Sequence, residues 1–430
     1  MSPPAPSRAA LFLTVAFVAL IAAVPISQTW LELRRGERVQ FTDVFRYAPT
    51  ASQLRQYEAT LKEKSWLQQQ ARPLTQRLLF EAFRDPGAKV VPGRDGWLFY
   101  RPDLRYLVEP DLPTAPPPGR WLAPGPPPTA RQHVLRTIAT FRDQLKERGI
   151  ALVVMPVPGK PRIHPEAVTT RAESSREPVL SPTRLLLAEL ARAGVPVIDL
   201  YAPFDAARRD HPDQPLYLAR DTHWTPTGVG LAAETAARTL RQAQLAPAGS
   251  NAFQTVAAPV RRHGDIVEMM QIPGVSGADA PETVTCDRVL DPVLGPLLPN
   301  PSERPGVYRY PGQQATVLVL GDSFSRIYQL PEPRTLGEWR DANAAAESPG
   351  HDATKRLLPG SAGFISLLAR TLRSPVDAIV SDGGASTDVR RKLSTNPEIL
   401  EGKRVVIWEF VERDIALGAA GWEDVPLPPN

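Results

Sequence analysis

Two short stretches of the chain carry side chains that could together perform nucleophilic catalysis. Asp221 and His223 are separated by one residue, and in an extended segment such positions project to the same side. The Asp221 carboxylate can therefore reach one imidazole nitrogen and leave the other free to accept a proton. Ser323 follows an apolar run, at the position where open α/β sheets present a nucleophile. We predict one active site with Ser323 as nucleophile, His223 as general base and Asp221 as the acid that orients it.

The chemistry that suits these residue types is acyl transfer. A serine hydroxyl becomes a good nucleophile when a base takes its proton, and its attack on an acyl carbonyl creates an oxyanion that needs hydrogen-bond donors. The backbone N–H of Ser323 is one candidate donor, and the Gly383-Gly384 turn after a predicted strand is a second. A glycine pair in a loop can equally serve backbone geometry alone.

Metal binding is the rival chemical interpretation of Asp221 and His223. A protein metal site needs further ligands, and the sequence shows no second cluster of ligating side chains. The single cysteine, Cys286, excludes an internal disulfide framework and a cysteine-rich metal site. We therefore predict neither a metal nor a cofactor.

Length and composition exclude several other classes of protein. With 430 residues, 42% of them hydrophobic, the chain can form a large domain with extra elements, or two domains. The 50 basic and 46 acidic residues nearly balance, and no dense Lys/Arg cluster is interleaved with aromatic residues. Nucleic-acid binding is therefore not expected.

An apolar run near the N-terminus predicts attachment to a membrane or export across it. Residues 9–29 have the composition of a transmembrane anchor or a signal peptide, and Arg8 precedes them. The chain then continues as a charged helix, which favours an uncleaved anchor. We predict a cytoplasmic tail over residues 1–8 and a helical stalk over residues 30–90. Both interpretations of the apolar run leave the rest of the protein outside the cytoplasm.

Most of the remaining chain alternates amphipathic helices with apolar strands. Such alternation predicts parallel pairing and a three-layer α/β/α fold with a doubly wound sheet. We place this domain at residues 91–415, with 245–312 as an insertion because they lack clear periodicity, and 416–430 as a C-terminal tail. The predicted strands are Ile150–Pro156, Val195–Leu200, Thr316–Leu320, Val376–Val380 and Arg404–Phe410.

Five stretches in a fixed order support a more specific interpretation. They are Gly93–Phe99, Lys160–Glu166, Asp221–Thr225, Gly321–Ser325 and Trp408–Arg413. Together with the N-terminal anchor, they resemble the SGNH hydrolase-like O-acetyltransferases of bacterial exopolysaccharides, the AlgJ/AlgX group of alginate acetylation proteins. In ordinary SGNH esterases the serine comes first, whereas here the Asp-x-His pair precedes the serine, as it does in this group. The resemblance covers roughly residues 90–415.

The resemblance implies transfer of acetyl groups to a polysaccharide hydroxyl through a Ser-His-Asp triad and an acetyl-enzyme. It implies an inner-membrane protein with its catalytic domain in the periplasm, and a membrane-bound O-acyltransferase as the partner that supplies the acetyl group. It also marks Trp224 and Arg413 as candidate supporting residues, with Arg413 and Glu412 either bracing the site or forming a structural ion pair. The proline-rich loop at 111–128 and the insertion at 245–312 have no counterpart in this resemblance.

Two other functions remain open from the sequence. An acetyl esterase would use the same triad and the same acyl-enzyme, and would differ only in admitting water as the acceptor. A non-catalytic, anchored subunit for polysaccharide assembly would retain the fold without the chemistry. The intact Asp221, His223 and Ser323 count against this second alternative.

Overall fold

In the computed structural model, the chain divides into two compact units, Met1–Gly87 with Gln271–Val275, and Ala88–Met270 with Ser276–Asn430. Most of the predicted proline-rich loop, part of the predicted stalk, and Gly384 lie outside the described residues. The structure describes residues 7–39, 42, 54, 65–83, 85–111, 128–172, 178–270, 272, 281–297, 306–310, 312–329, 332–333, 357–358, 360–383 and 386–428.

The described residues form both helices and strands. The helices are α1 (Arg8–Arg34), α2 (Trp66–Phe83), α3 (Arg101–Val108), α4 (Ala130–Lys146), α5 (Lys160–Ile163), α6 (Thr183–Arg192), α7 (Tyr201–Asp210), α8 (Pro226–Gln242), α9 (Asp265–Met270), α10 (Ser323–Arg326), α11 (Phe364–Leu372) and α12 (Asp388–Ser394). The strands are β1 (Val90–Pro92), β2 (Leu98–Tyr100), β3 (Ala151–Val157), β4 (Gln254–Arg262), β5 (Glu282–Asp291), β6 (Gly295–Pro296), β7 (Val307–Tyr308), β8 (Val317–Gly321), β9 (Glu332–Pro333), β10 (Leu357–Leu358), β11 (Val376–Val380) and β12 (Val405–Val411). Short 3₁₀ helices occupy Pro165–Ala167, Thr170–Ala172, Pro397–Leu400 and Glu412–Ala420.

The first unit contains α1 and α2. The segment Leu11–Arg34 of α1, with a hydropathy of 2.2, is the one described helix that is long and apolar enough to cross a membrane. A helix of 27 residues extends about 40 Å, more than the roughly 30 Å of a bilayer's hydrocarbon core. This length and composition suit a membrane anchor and a signal sequence alike. Within the unit, the Trp66 indole donates to the Ser27 hydroxyl at 3.0 Å.

The second unit is built on a five-stranded sheet with the order β3-β12-β8-β11-β7. The first four strands run parallel, and β7 pairs antiparallel with β11. Successive side chains of β8 point to opposite faces, so that Val317 and Val319 join one apolar cluster and Leu318 and Leu320 the other. Helices α7, α8 and α11 cover the first face, and α4, α6 and α12 cover the second. The predicted three-layer α/β/α fold is confirmed.

One predicted strand of this sheet is wrong. Val195–Leu200 runs beside β3, yet it makes only an isolated parallel bridge, between Val154 and Val197. The N–H of Val154 donates to the Pro196 carbonyl at 3.1 Å, and the N–H of Ile198 donates back to Val154 at 2.9 Å. Proline has no N–H to extend the ladder, which limits this edge to one bridge.

The predicted insertion contains regular structure that the sequence pattern did not reveal. β4 and β5 pair antiparallel from Gln254 opposite Leu290 to Arg262 opposite Glu282, and β6 extends this small sheet. Most side chains of β4 are exposed, so the strand lacks the apolar alternation on which a prediction could rest. The ladder ends at Arg262, and α9 begins three residues later at Asp265.

Candidate active site

Asp221 and His223 lie in a bend of the chain that leads into α8. The Asp221 Oδ1 atom accepts a hydrogen bond from the His223 backbone N–H at 3.0 Å and lies 2.6 Å from the ring Nδ1. The expected extended segment is wrong, because the carboxylate meets the N–H two residues on, as in an Asx turn. The end of the bend is secured by Thr225, whose hydroxyl accepts the Gly228 N–H at 3.2 Å and caps α8.

Ser323 is the first residue of α10, directly after β8. Asp322 caps this short helix by accepting the Phe324 N–H at 2.7 Å. The Ser323 Oγ atom lies 2.8 Å from Nε2 of His223. Ser323 is partly exposed, whereas Asp221 and His223 are buried. The three residues therefore form one hydrogen-bonded chain of carboxylate, imidazole and hydroxyl, and its hydroxyl end faces solvent.

The charges around this chain favour a strong base. Burial raises the pKa of Asp221, but the Arg262 guanidinium, 3.0 Å from Oδ2, and the His223 imidazole outweigh it and hold that pKa well below its ordinary value. Burial lowers the pKa of His223, and the Asp221 carboxylate more than reverses this, so the pKa of His223 lies above its ordinary value. An imidazole with a raised pKa has the greater affinity for the serine proton.

Asp265 brings a second carboxylate to the same imidazole. Ligand atoms of Asp221, His223 and Asp265 lie within 4.8 Å of one another, close enough to hold a metal ion. Protein donors already engage both carboxylates, since the Thr222 hydroxyl donates to Asp265 Oδ2 at 2.5 Å and Arg262 donates to Asp221 Oδ2 at 3.0 Å. A guanidinium at this distance also repels a cation. The cluster therefore fits a hydrogen-bonded base better than a metal centre.

Two further acidic side chains lie behind the serine. Glu409 of β12 is fully buried, and its Oε2 accepts the Asp322 N–H at 3.0 Å and the Ser325 hydroxyl at 2.7 Å. A Cβ atom on Gly321 would come within 2.7 Å of that same Oε2, so only glycine fits there. Burial, together with the nearby Asp322 carboxyl, raises the pKa of Glu409 well above its ordinary value. The raised pKa favours the neutral form of Glu409, which holds the turn at Ser323 through these two hydrogen bonds.

Lys160 connects the β1–β2 hairpin to the segment that carries Asp221. Its side chain is buried, and Nζ donates to the carbonyls of Leu98 at 2.5 Å, Ala219 at 2.8 Å and Asp221 at 3.1 Å. Burial lowers the pKa of Lys160 to about 8. Lys160 thus contributes a buried donor that fixes the backbone of the bend at Asp221.

The two candidate supporting residues lie in different places. Trp224 is fully buried, and its ring packs edge-on against Phe324 with centroids 5.1 Å apart, so it joins the bend to the serine helix. Arg413 forms an ion pair with Asp103 at 2.9 Å, and the predicted pairing with Glu412 is wrong. Glu412 instead accepts hydrogen bonds from buried hydroxyls, those of Ser181, Thr183 and Tyr201.

The two candidate oxyanion donors are the Ser323 N–H and the loop at Gly383. The N–H of Ser323 has no hydrogen-bond partner within the described part of the chain, so it is available to a ligand. Gly383 adopts a φ of +64°, and its loop begins beside the serine turn, where the Ser381 N–H donates to the Gly321 carbonyl at 3.1 Å. Gly384 lies outside the described residues.

The sequence reasoning missed four residues of this site. Arg262 and Asp265 come from the predicted insertion, where no pattern marked either of them. Glu409 did carry a signal, because it is a lone acidic residue inside the apolar strand β12 and within one of the matching stretches. Lys160 lay in a matching stretch as well, but a buried lysine cannot be recognised before the fold is known.

The fold and the site together define an SGNH hydrolase-like protein. The family described as the SGNH hydrolase-like domain of acetyltransferase AlgX matches residues 90–332, and the chain belongs to this family. The predicted family resemblance is thereby confirmed.

Individual relatives agree with this family assignment. The chain is 26% identical over 340 residues to a probable alginate O-acetylase AlgJ of Pseudomonas syringae pv. tomato, covering 78% of this chain and 71% of that protein. It is 24% identical over 349 residues to the protein of the same name from Pseudomonas aeruginosa, covering 79% and 74%. The solved O-acetyltransferase domain of Pseudomonas putida AlgJ is similar in fold, with a TM-score of 0.50 and 23% identity over 76% of this chain and 92% of that one. These names support an acetyltransferase role.

Proposed function

We propose that this protein is an extracytoplasmic O-acetyltransferase that moves acetyl groups onto hydroxyls of a polysaccharide. The observation that carries the proposal is the hydrogen-bonded chain from Asp221 through His223 to Ser323, with contacts of 2.6 Å and 2.8 Å. Membership of an acetyltransferase family supports the choice of acetyl as the transferred group. The relatives named alginate O-acetylase make alginate or a similar polymer the first acceptor to test.

The first half of the proposed reaction forms the acetyl-enzyme. Nε2 of His223 takes the proton of the Ser323 hydroxyl while Oγ attacks the acetyl carbonyl of the donor. The negative charge that develops on the carbonyl oxygen is stabilised by the Ser323 N–H, and the loop at Gly383 is the candidate source of a second donor. His223 then returns the proton to the leaving group, and the acetyl ester on Ser323 remains. Asp221 stabilises the imidazolium throughout.

The second half transfers the acetyl group to the acceptor. A sugar hydroxyl takes the place of the leaving group, and His223 removes its proton while the oxygen attacks the ester. Collapse of the tetrahedral intermediate breaks the bond to Ser323 Oγ, which regains its proton from His223. The products are an O-acetylated sugar and free enzyme. Water in place of the sugar would give acetate, so the esterase alternative is a matter of which acceptor reaches Ser323.

The location and the donor are also part of the proposal. We place α1 in the inner membrane as an anchor and the catalytic unit in the periplasm, because α1 is long and apolar enough to span a bilayer. A membrane-bound O-acyltransferase partner would bring the acetyl group across that membrane, where no cytoplasmic acetyl donor is available.

The test is an acetyl-transfer assay on the full chain in detergent, with p-nitrophenyl acetate as donor and an alginate oligosaccharide as acceptor. Acetylated sugar and free acetate are followed together. Ser323→Ala should abolish both products, whereas Ser325→Ala is the matched control, since its hydroxyl faces Glu409 and not His223. Acetate release alone, with Ser323 dependence, would favour the esterase. Turnover that is unchanged in Ser323→Ala would overturn the proposal.

A further inference from the structure

The joint between β4 and α9 brings two charged side chains to the catalytic bend. Arg262 ends β4, Asp265 begins α9, and both lie within hydrogen-bond distance of the stretch from Asp221 to His223. Between them, Gly264 allows the close approach, because a Cβ atom there would lie 1.8 Å from the carbonyl oxygen of Arg220. The insertion therefore packs its backbone directly against the backbone of the bend.

Arg262 determines which oxygen of Asp221 faces the imidazole. Its Nε and Nη2 atoms lie 3.3 Å and 3.0 Å from Oδ2, while Oδ1 is left for the ring and the backbone N–H of His223. The Asp221 side chain has no exposure to solvent, so its charge needs a partner of opposite sign. The guanidinium is itself held over the ring of Tyr328, 5.7 Å from its centroid.

Asp265 holds the residue between the acid and the base. Its carboxylate accepts the Thr222 N–H at 2.7 Å and the Thr222 hydroxyl at 2.5 Å. Its own N–H lies 3.4 Å from Asp221 Oδ2, and its Oδ2 lies 3.6 Å from Nδ1 of His223. Burial and the Asp221 carboxylate raise the pKa of Asp265 to about 6, so above that pH Asp265 is a second negative group on the side of the imidazole that faces away from Ser323.

We propose that Arg262 and Asp265 are positioning residues of the catalytic centre, and that they act on the proton affinity of His223 in opposite directions. A cation near the ring disfavours the imidazolium, and a second carboxylate near the ring favours it. The inference rests on the proposed function, because it takes His223 as the general base. Under this proposal the predicted insertion takes part in catalysis, although Arg262 and Asp265 lie about 40 residues beyond Asp221 along the chain.

Other charged groups near the imidazole belong to different elements. Asp322 lies on the serine side, before α10, and Lys160 of α5 reaches the Asp221 carbonyl from the hairpin side. Glu282 of β5 accepts the N–H groups of Ala219 and Arg220, just before the bend. These groups stay unchanged when Arg262 or Asp265 is replaced, so a shift in the titration midpoint can be assigned to the replaced charge.

The experiment measures how fast a sulfonyl fluoride labels the full chain in detergent between pH 5 and pH 9. Labelling of the serine requires a neutral base, so its rate rises with pH around the midpoint of the coupled cluster. Mass spectrometry identifies Ser323 as the labelled residue, and Ser323→Ala must remain unlabelled. The reagent needs neither the acetyl donor nor the polysaccharide, so the result is independent of acceptor identity.

The two substitutions are expected to move the midpoint in opposite directions. Asp265→Asn should lower it by about half a pH unit or more, and Arg262→Met should raise it by a similar amount. Arg262→Met should also lower the plateau rate about tenfold, because the Asp221 carboxylate loses its fixed orientation. Arg262→Lys keeps the charge and should keep the midpoint. It also serves as a second variant if Arg262→Met fails to fold.

Two neighbours provide matched controls. Arg261→Gln removes an exposed arginine next to Arg262 in β4, and Asp287→Asn removes an exposed acid from β5 of the same small sheet. Both should label as the wild type does. If Ser323 is labelled but both site variants keep the wild-type midpoint, or both shift it in one direction, the inference is overturned. If the wild type is not labelled at Ser323, the proposed function fails instead.

Discussion

Asp221 and Glu409 are both fully buried beside the Ser323 turn, yet their pKa values are shifted in opposite directions. The pKa of Asp221 lies well below its ordinary value, and the pKa of Glu409 lies well above it. Burial raises the pKa in each case. Asp221 has Arg262 and His223 as partners, which reverse the effect, whereas Glu409 has the Asp322 carboxyl as a neighbour, which adds to it.

This difference suits the role that we propose for Asp221 as a catalytic acid, and a structural role for Glu409. An ionised Asp221 can stabilise an imidazolium, which is what a serine nucleophile needs. Glu409 accepts hydrogen bonds from Asp322 and Ser325, on either side of Ser323, and its raised pKa favours an uncharged side chain there. One of its oxygens, Oε1, is buried and has no hydrogen-bond partner within the described residues, which costs less for a neutral acid than for an anion.

The largest effect is expected when the ionised member is neutralised. Asp221→Asn keeps the shape of the side chain but removes the charge and lets the wrong tautomer of His223 form. We expect a loss of about a thousandfold or more in the Ser323-dependent turnover of an acetyl ester. If this variant retained a tenth of the wild-type rate while circular dichroism showed it to be folded, the charge of Asp221 would not be needed for turnover, and the contrast with Glu409 would have no functional meaning.

Arg413 and Asp103 form a buried ion pair that, unlike Asp221 with Arg262, contacts no histidine within the described part of the chain, and the pair serves as a comparison for Asp221. Asp103 is 3% exposed, and its Oδ1 lies 2.9 Å from Arg413 Nη1. Arg413→Met leaves that carboxylate buried without its partner, so we expect about 3 kcal/mol less stability in urea unfolding. Turnover per folded molecule should stay within a few-fold of the wild type. A loss of turnover comparable with that of Asp221→Asn would place Arg413 in the catalytic centre.

Glu409→Gln tests the neutral member, and a small effect is expected. Glutamine has nearly the same shape and no charge, so turnover should remain within a few-fold of the wild type, and stability at pH 5 within about 1 kcal/mol. The unfolded chain loses the proton near pH 4.5, while folded Glu409 retains it to higher pH. The wild type therefore loses stability as pH rises, and the Gln variant does not. The melting temperature of Glu409→Gln relative to wild type should increase from pH 5 to pH 8; a decrease would mean that Glu409 is ionised.

The smallest effect is expected at a surface pair near the same turn. Arg326 Nε lies 2.7 Å from Asp382 Oδ1, and the side chains are 33% and 52% exposed. Water screens such a pair, so Asp382→Asn should change the free energy of unfolding by less than about 1 kcal/mol. A larger loss of unfolding free energy, measured by urea denaturation, would show that solvent exposure does not predict how much a charged pair near this turn contributes to stability.

The sequence by itself determined the fold class and the three residues that meet in the site. Alternating apolar strands and amphipathic helices require a layered α/β fold, because each apolar face must be buried against another element. The contact between Asp221 and His223 joins residues two positions apart. It forms as predicted, although the chain bends there and is not extended. The serine after a buried strand is local as well, since β8 ends directly before α10.

Only the tertiary structure decided what surrounds these residues. Arg262 lies 41 positions beyond Asp221 along the chain, and Glu409 lies 87 positions beyond Asp322. No periodicity connects such pairs, and composition does not distinguish Arg262, which holds a buried carboxylate, from its exposed neighbour Arg261. The charge state of a buried carboxyl depends on which groups the fold brings within a few ångströms of it, because the energy of a buried charge depends on those nearby partners.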